Sequence, residues 1–387
     1  MNLSDIRRLT PVTNDYAYFQ TSGFSPKLEP ILDEVAHWMR FQNRGPALPD
    51  VHATVIGHFE EARGKVALAL GAAADEIVLG ENATVGINIV ANGIDWQPGD
   101  NIILTNHEHP GNRIPWYNFI QRYGVQLRFV NVVHDEEQML HELEQMIDAR
   151  TRLVSVSHVS RRTGQRFPVK AMAEIAHQRD VPILLDGAQS FGAIPVDVHA
   201  LDCDFYAFSG HKYIMAPQGT GGLYVRRDRI EWLKPSWIGS HSQKDMDLDG
   251  HMTLLDEAKR FEFGTRNLAD QIGFGKALDI WAEIGWPNVY AAIAAYTDRM
   301  KAALLTVPTL ILETPLSYEQ SSGIVTFNIP GLGAAELSAS LLAHERILAS
   351  TLEANSGSLR ISTHVFNNDE EIERLVTGLQ RIQKSGY

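Results

Sequence analysis

Reactive residue types are concentrated in one stretch of the chain, from Pro182 to Tyr224. An apolar run, Val181 to Leu185, predicts a buried strand that delivers Asp186 at its carboxyl end, where open α/β sheets bind their ligands. A second predicted strand, Asp204 to Phe208, leads through a small-residue turn to Lys212. Burying an ammonium group there is costly unless the group has a function. The position therefore favours a lysine that forms a Schiff base.

The order and spacing of these residues are more informative than any one of them. Asp186 and Gln189 form a D-x-x-Q motif, and Lys212 ends an S-G-H-K motif 23 residues after the glutamine. This arrangement resembles the class V aminotransferase family of pyridoxal-phosphate (PLP) enzymes, which includes cysteine desulfurases, C-S lyases and isopenicillin N epimerase. The resemblance implies that Lys212 binds PLP covalently. It also implies that Asp186 pairs with the pyridine nitrogen and that Gln189 bonds the ring 3-oxygen.

The resemblance assigns the PLP phosphate to two segments. Ser209 and His211, which precede the lysine, are expected to contact it. The second segment, E-N-A-T-V-G-I-N from Glu81, lies between a predicted strand and a predicted helix, and helix amino termini bind anions. The family has G-T-T-E-x-I-N here, and this chain replaces the glycine and the glutamate. Phosphate contact is expected from Thr84 with the amides of Ala83 and Val85, although Thr84 alone is equally typical of a helix cap.

A histidine-rich motif, Asn106-His107-Glu108-His109, follows another predicted buried strand. A metal site is disfavoured because no third ligand lies nearby in the sequence. The family ends this strand with E-H-x-x-N, and the resemblance implies that His109 stacks on the PLP ring and assists proton transfer. The E-H-P-G form found here is more similar to the L-cysteine/cystine C-S lyases than to the desulfurases.

The substrate carboxylate is expected at an arginine near the end of the chain. The resemblance implies that Arg360, on a predicted strand, clamps it with a two-pronged contact; the alternative is a sheet-edge arginine in a surface ion pair. Ser22 or Gly23 is expected to add a backbone donor, or else these residues only close a turn. Arg161 stands where the desulfurases have asparagine. Together with Arg162 it offers a cation to an acidic substrate, unless the pair faces the surface.

The motif F-E-F-G-T-R-N, from Phe261 to Asn267, also has a counterpart in the family. There its threonine reaches the phosphate of the neighbouring subunit. The resemblance therefore implies that Thr265 does the same, that the active site is shared, and that the enzyme is a homodimer.

Cysteine content separates the activities of the family. Desulfurases need a nucleophilic cysteine in the loop before the arginine strand, and that loop here, Ala349 to Gly357, has none. The only cysteine, Cys203, is predicted to be buried. The sequence therefore favours a PLP-dependent C-S lyase that cleaves cysteine, cystine or a cysteine S-conjugate or sulfoxide by α,β-elimination, giving pyruvate, ammonia and a sulfur product. An aminotransferase or an epimerase remains open, as does a desulfurase without its own persulfide cysteine.

Predicted strands and helices alternate from about residue 70 to 225, which indicates a mostly parallel sheet with helices on both faces. With the resemblance, this is an α/β fold of fold type I with a seven-stranded-type sheet. Three regions are expected: an N-terminal segment (1–25), a large PLP-binding domain (26–285) and a small C-terminal α+β domain (286–387) joined by part of the amino terminus. Residues 232–255, which lack clear periodicity, are predicted to form a long loop.

Composition narrows the remaining possibilities. The chain has 387 residues, 44% of them hydrophobic, as in globular enzymes. A net charge of -13 argues against binding nucleic acid, and no apolar run approaches the length of a membrane span. A single cysteine excludes an intramolecular disulfide. The first residues contain no apolar signal segment, so a cytoplasmic protein is expected.

Overall fold

The computed structural model of the protein describes residues 1–352 and 357–385. The helices in these ranges are α1 (Leu3–Arg8), α2 (Glu29–Gln42), α3 (Pro49–Leu70), α4 (Ala83–Gly93), α5 (Ile114–Tyr123), α6 (Glu136–Met146), α7 (Val169–His177), α8 (Leu268–Ile284), α9 (Trp286–Leu304), α10 (Ala334–Glu345) and α11 (Asp369–Ser385). Within the described residues, no helix combines the length and the apolar character that crossing a bilayer requires.

The strands are β1 (Ala17–Tyr18), β2 (Ile77–Gly80), β3 (Asn101–Thr105), β4 (Gln126–Val130), β5 (Thr151–Ser157), β6 (Ile183–Asp186), β7 (Phe205–Ser209), β8 (Gly221–Val225), β9 (Gln243–Met246), β10 (Met252–Leu254), β11 (Ile311–Leu312), β12 (Ile324–Asn328), β13 (Ile347–Leu348), β14 (Ser350–Thr351) and β15 (Leu359–Ser362). Seven of them form one sheet in the order β2-β8-β7-β6-β5-β3-β4. β8 runs antiparallel to both of its neighbours, β2 and β7, and the other strand pairs of this sheet are parallel. The predicted α/β fold with a mostly parallel seven-stranded sheet is confirmed.

Alternating side chains along the strands form a separate apolar core on each face of the sheet. Ile183 and Leu185 of β6 pack into the core that contains helices α3, α7 and α8, whereas Leu184 between them packs into the core beneath α4 and α5. The predicted run of apolar residues at this strand is thus explained by burial on both faces.

Local sequence signals set the ends of the helices that flank this sheet. Helix α3 has Pro49 in its first turn and stops at Gly71, whose φ of 69° is left-handed. Helix α4 begins after Asn82, whose side chain accepts a hydrogen bond from the amide of Val85. These two signals set where α3 ends before strand β2 and where α4 begins after it.

A small antiparallel sheet, in the order β11-β12-β15-β14, lies in the carboxyl-terminal part of the chain. Its core includes residues of helices α9, α10 and α11, together with Ala17 and Phe19 from the amino terminus. The short strand β1 pairs in parallel with β13, Ala17 opposite Ile347. The amino-terminal segment therefore packs with the carboxyl-terminal part, and the division into three regions stays a prediction.

Two elements differ from the sequence-based expectation. Residues 232–255, predicted as a loop, contain the antiparallel hairpin β9-β10. The side chains of β9 are mostly exposed, so the strand lacks the alternating apolar pattern that would reveal it. Helix α1 lies in the amino-terminal segment, for which no helix was predicted, and Asn2 and Asp5 close a capping box at its start.

Candidate active site

The carboxyl ends of the parallel strands meet at one edge of the large sheet, and the predicted site lies there. β6 ends at Asp186, β7 at Ser209, and β5 leads into the loop of Arg161. The chain turns sharply after β7, at Gly210. A Cβ at this position would lie 2.5 Å from Thr220 Oγ1. Only glycine fits at this position, and Lys212 follows two residues later.

Lys212 is almost completely enclosed, with 8% of its surface exposed. Burial is the largest cause that lowers its pKa, to about 8. Asp186 opposes the shift, whereas the positive charges of Arg360 and Arg161 add to it. An amine with this pKa has a substantial neutral, nucleophilic fraction close to physiological pH.

Asp186 is buried at the end of β6, where one carboxylate oxygen accepts a hydrogen bond from the Ala188 amide at 3.0 Å. Burial raises the pKa of this carboxyl group, while the charge of Lys212 and the Ala188 amide oppose the rise. A carboxylate held in this way is suited to face a cationic ring nitrogen, since a second positive charge would favour its ionised form.

Gln189 connects the site to the amino-terminal loop. Its Nε2 donates to the carbonyl of Ser22 at 3.0 Å, and its buried Oε1 has no hydrogen-bond partner among the residues described. The amide of Ser22 donates to Ser362 Oγ at 3.0 Å, and that of Gly23 donates to the Gln20 carbonyl at 2.9 Å. Both amides are thus engaged within the chain, and a contact with the substrate would require these bonds to exchange.

The residues predicted to contact the phosphate lie at and beside the start of α4. The amide of Ala83 donates to Ser209 Oγ at 3.1 Å, which joins the two segments that the sequence assigned to the phosphate. The Val85 amide donates to the side chain of Asn82 at 3.1 Å. His211 Nδ1 is buried without a partner in the described ranges. The Ala83 amide is therefore occupied by Ser209, and the Ser209 hydroxyl is the polar group presented at this helix end.

His109 and Thr84 meet across Gly111. A Cβ at Gly111 would lie 2.5 Å from Thr84 Oγ1 and 2.9 Å from His109 Nδ1, so this close approach requires glycine. The Gly111 amide donates to His109 Nδ1 at 2.8 Å. Desolvation in the cleft, followed by the charges of Lys212 and Arg161, lowers the pKa of His109 to about 3. The ring is therefore neutral, carries its proton on Nε2 and is exposed to the cleft.

Arg360 projects from the small sheet into the same region. Its Nη1 donates to the carbonyl of Arg161 at 3.0 Å and its Nε donates to Ser350 Oγ at 3.2 Å. Burial, followed by the charge of Arg161, lowers its pKa to about 10, so it remains a cation at neutral pH. Arg162, which follows Arg161 in the chain, is exposed.

Thr265 lies apart from this cluster. It is exposed and lines a surface cavity of about 240 Å³ together with His52, His241 and Lys259. The structure therefore brings most of the predicted site residues together around Lys212, whereas Arg162 and Thr265 are exposed and Thr265 lies apart from the cluster.

The residues at the sheet edge fit PLP. They offer an enclosed amine, a buried carboxylate, a helix amino terminus with a hydroxyl, and two buried polar atoms, Gln189 Oε1 and His211 Nδ1, that lack partners among the described residues. This combination on a doubly wound sheet defines a PLP enzyme of fold type I. The family model of the class-V aminotransferases matches residues 17–375, and the chain belongs to this family. The predicted resemblance and the predicted cofactor are confirmed; the individual residue roles stay predictions.

Curated proteins similar to this chain include cysteine desulfurases. A probable cysteine desulfurase of Methanothermobacter thermautotrophicus is 32% identical, with 100% of this chain and 99% of that protein covered. A cysteine desulfurase of Pectobacterium atrosepticum is 34% identical over 95% of this chain and 93% of its own length.

Solved structures of the cystine C-S lyase C-DES are similarly close. Its complex with the reaction product cysteine persulfide has a TM-score of 0.89 and 28% identity, covering 96% of this chain and 99% of that one. A C-DES variant with glycine covalently linked to the PLP cofactor has a TM-score of 0.90 and 28% identity, covering 97% and 98%.

Two contributors to the site were not predicted from the sequence. Ser350 reaches Arg360 because it lies opposite that residue in the pairing of β14 with β15. Strand β14 has two residues, too few for a periodic signal. Arg113 adds to the positive charge around His109, and its place directly after the E-H-P-G-N motif is the signal that could have identified it.

Proposed function

We propose that this protein is a PLP-dependent C-S lyase that cleaves the Cβ-S bond of cysteine, cystine or a cysteine S-conjugate or sulfoxide. The reaction is an α,β-elimination that yields pyruvate, ammonia and a sulfur product. The similarity to cysteine desulfurases and to C-DES supports cleavage of a cysteine C-S bond. The choice of elimination rests on this chain's own residues.

The observation that carries the proposal is the environment of the only cysteine. Cys203 has no exposed surface and lies just before β7, with Sγ 3.7 Å from the Val198 carbonyl. Burial raises the pKa of its thiol, which keeps it protonated and unreactive. Sulfur therefore has no thiol of this chain to which it can be transferred, and it leaves as a free product.

Lys212 is proposed as the base of the reaction. Its amine is enclosed and has a pKa lowered to about 8, so it can hold the cofactor covalently and, once released, accept the proton from the substrate Cα. When bound, PLP supplies an electron sink for the electron pair left at Cα. Asp186 would keep the ring nitrogen protonated, a role supported by its burial at the end of β6.

His109 is proposed to lie against the cofactor ring as a neutral imidazole. Its Nδ1 is occupied by the Gly111 amide, which leaves Nε2-H as the one ring donor. Arg360 is proposed to hold the substrate α-carboxylate, because Ser350 and the Arg161 carbonyl orient its guanidinium from one side. Fixing the carboxylate orients the Cα proton towards Lys212.

The protein is further proposed to act as a homodimer with shared sites. Thr265 is exposed, and so are the large apolar side chains of Phe263, two residues before it, and of Trp237, which contacts Phe263. The rings of Trp237 and Phe263 lie 5.6 Å apart, and the Gly264 amide donates to Ser240 at 3.0 Å. An ordered apolar surface around Thr265 is what a second subunit would cover.

The test is a set of absorbance spectra of the purified holoenzyme with L-cysteine, L-cystine and a cysteine S-conjugate, with pyruvate and thiol or sulfide assayed in the same samples. Release of pyruvate in step with the sulfur product supports elimination. A spectral change without pyruvate would replace elimination by transamination or epimerisation. Trapping of a persulfide on the protein would contradict the role given to Cys203.

A further inference from the structure

Glu108, directly before His109, is a buried carboxylate whose two oxygens both accept hydrogen bonds. Oε1 accepts from Thr105 Oγ1 at 2.7 Å and from the Ser157 amide at 3.0 Å. Oε2 accepts from Ser157 Oγ at 2.7 Å and from Asn112 Nδ2 at 2.8 Å. Burial raises the pKa of this carboxyl group, and these bonds oppose the rise. Each oxygen thus faces one group, a backbone or side-chain amide, that can only donate.

Asn112 is the second member of this pair, and its partners fix the orientation of its amide. Its Oδ1 accepts from Ser155 Oγ at 2.7 Å and from Trp116 Nε1 at 3.3 Å. Its Nδ2 donates to Glu108 at 2.8 Å and to the Ser155 carbonyl at 3.3 Å. Since an indole N–H only donates, the oxygen of Asn112 must face Trp116, and its nitrogen must face Glu108.

His109 lies in the turn that this pair closes. The Asn112 amide donates to the His109 carbonyl at 2.8 Å, and the Gly111 amide donates to His109 Nδ1 at the same distance. Glu108 and Asn112 are both bonded to β5, through Ser157 and Ser155 respectively. The chain is therefore attached to the sheet on both sides of His109, and the place of the imidazole depends on these attachments.

We propose that Glu108 is a positioning residue, which together with Asn112 holds the turn of His109 and thereby sets where the imidazole lies in the cleft. This inference rests on the role proposed for His109. The position requires a carboxylate, because the amide of a glutamine would direct its own donor at the donor of Asn112 or of Ser157. A group that acts in the reaction and is displaced by about 1 Å can lower the rate by up to about a hundredfold.

The test begins with Glu108→Gln, which keeps the size of the side chain and replaces one acceptor by a donor. Visible circular dichroism of the holoenzyme is measured first, since it responds to the groups packed against the cofactor and does not depend on turnover. We expect an altered spectrum and a kcat for pyruvate release that is lower by about ten- to a hundredfold. KM should change little, because Ser350 and the Arg161 carbonyl, outside this cluster, orient Arg360.

A double-mutant cycle separates positioning from a general loss of structure. If Glu108 acts through His109, adding Glu108→Gln to His109→Gln should lower kcat by less than about twofold. An equal factor in both backgrounds would overturn the inference. If His109→Gln alone leaves the spectrum and kcat unchanged, the role proposed for His109 is rejected, which is a different failure from an unchanged Glu108→Gln.

An exchange of the two side chains tests the pair itself. The variant Glu108→Gln with Asn112→Asp again has one donor facing one acceptor, so it should recover part of the spectrum and of kcat. No recovery would contradict the pairing. Thr105→Val, which removes only the hydroxyl bonded to Oε1, is the milder variant to use if Glu108→Gln does not fold, and it should change both measurements in the same direction.

Glu76→Gln is the matched control. Glu76 is also buried and accepts hydrogen bonds from two backbone amides, of Ala73 at 3.0 Å and Arg227 at 3.2 Å, but it lies before β2, at the other end of that strand from α4. This variant should keep the wild-type spectrum and kcat, even where urea unfolding shows a loss of stability. An unchanged spectrum and kcat in Glu108→Gln would overturn the inference while leaving elimination intact. An altered spectrum, in an enzyme whose wild type releases no pyruvate, would support the positioning role and reject the proposed elimination.

Discussion

At the scale of single residues, the chemistry of the site depends on how burial changes charged groups. Lys212, His109 and Arg360 each have a lowered pKa, to about 8, 3 and 10, and in each case desolvation is the largest cause. The consequences differ, because the arginine stays charged at neutral pH, the histidine is neutral, and the lysine is poised between the two forms. One cleft thus holds a cation, a neutral ring and a partly neutral amine, which suit the roles proposed for Arg360, His109 and Lys212.

Replacing Lys212 by alanine should abolish the visible absorbance of the bound cofactor and lower C-S cleavage by about 100- to 10,000-fold, the range for losing a catalytic base. Spectra and pyruvate release check this. Lys170→Ala, an exposed lysine on α7, is the control and should behave as wild type. Full activity in the Lys212 variant would refute its assignment as the base.

Covalent capture of PLP by the apoenzyme should accelerate as the pH rises through about 8, because the neutral form of Lys212 is the nucleophile. Asp186 is the group that raises this pKa, so Asp186→Asn should shift the profile to lower pH. Stopped-flow absorbance at a series of pH values gives both profiles. An unchanged pH profile in Asp186→Asn would show that Asp186 does not raise the pKa of Lys212.

At the scale of elements, glycines set how closely the loops of the site approach one another. Gly111 lets Thr84 reach His109, and Gly210 lets the chain turn from β7 to Lys212. Gly164 serves the loop of Arg161, and it combines a left-handed backbone with a contact to the β12 carbonyl that no side chain could share.

Gly164→Ala should destabilise the protein by about 1–3 kcal/mol or more, because backbone strain and a steric clash add. Gly331→Ala is the matched control. The φ of Gly331, 88°, is also left-handed, but nothing lies within 4 Å of the added Cβ, so this variant should lose less unfolding free energy. Urea unfolding of both variants measures the difference. Equal losses would show that the clash with Ile324 relaxes away.

At the scale of the whole molecule, the active site combines distant parts of the chain. Ser22 from the amino terminus contacts Gln189, in the turn after β6, and Ser362 of the small sheet, so three regions meet at one hydrogen-bonded point. Arg360 likewise reaches from the small sheet to the loop of Arg161. Movement of the small sheet relative to the large one would therefore change the substrate site directly.

A mixed-dimer experiment tests the proposed sharing of sites. Lys212→Ala and Thr265→Val enzymes should each be impaired alone. If each site takes Lys212 from one subunit and Thr265 from the other, a hybrid dimer contains one site with both changes and one intact site, so mixing should restore activity towards half of wild type per hybrid. Sites built within one subunit would give no intact site and no recovery, which pyruvate release would reveal.

Much of the large sheet and of the candidate site could be predicted from the sequence alone. Asp186, Gln189 and Lys212 could be predicted as site residues because their types, order and spacing resemble the class V aminotransferase family. The strands of the large sheet could be predicted because burial on both faces makes them continuously apolar. The sole cysteine is a fact of composition that already disfavoured a persulfide.

Other features were decided only by the tertiary structure. The hairpin β9-β10 and the strand β14 are short and partly exposed, so their formation depends on neighbours that periodicity does not record. Sequence spacing likewise could not reveal that Ser209 binds the Ala83 amide, that Ser350 orients Arg360, or that Arg161 adds its charge to Lys212. These contacts join different strands and loops, and their distances and electrostatic effects exist only once the strands have paired.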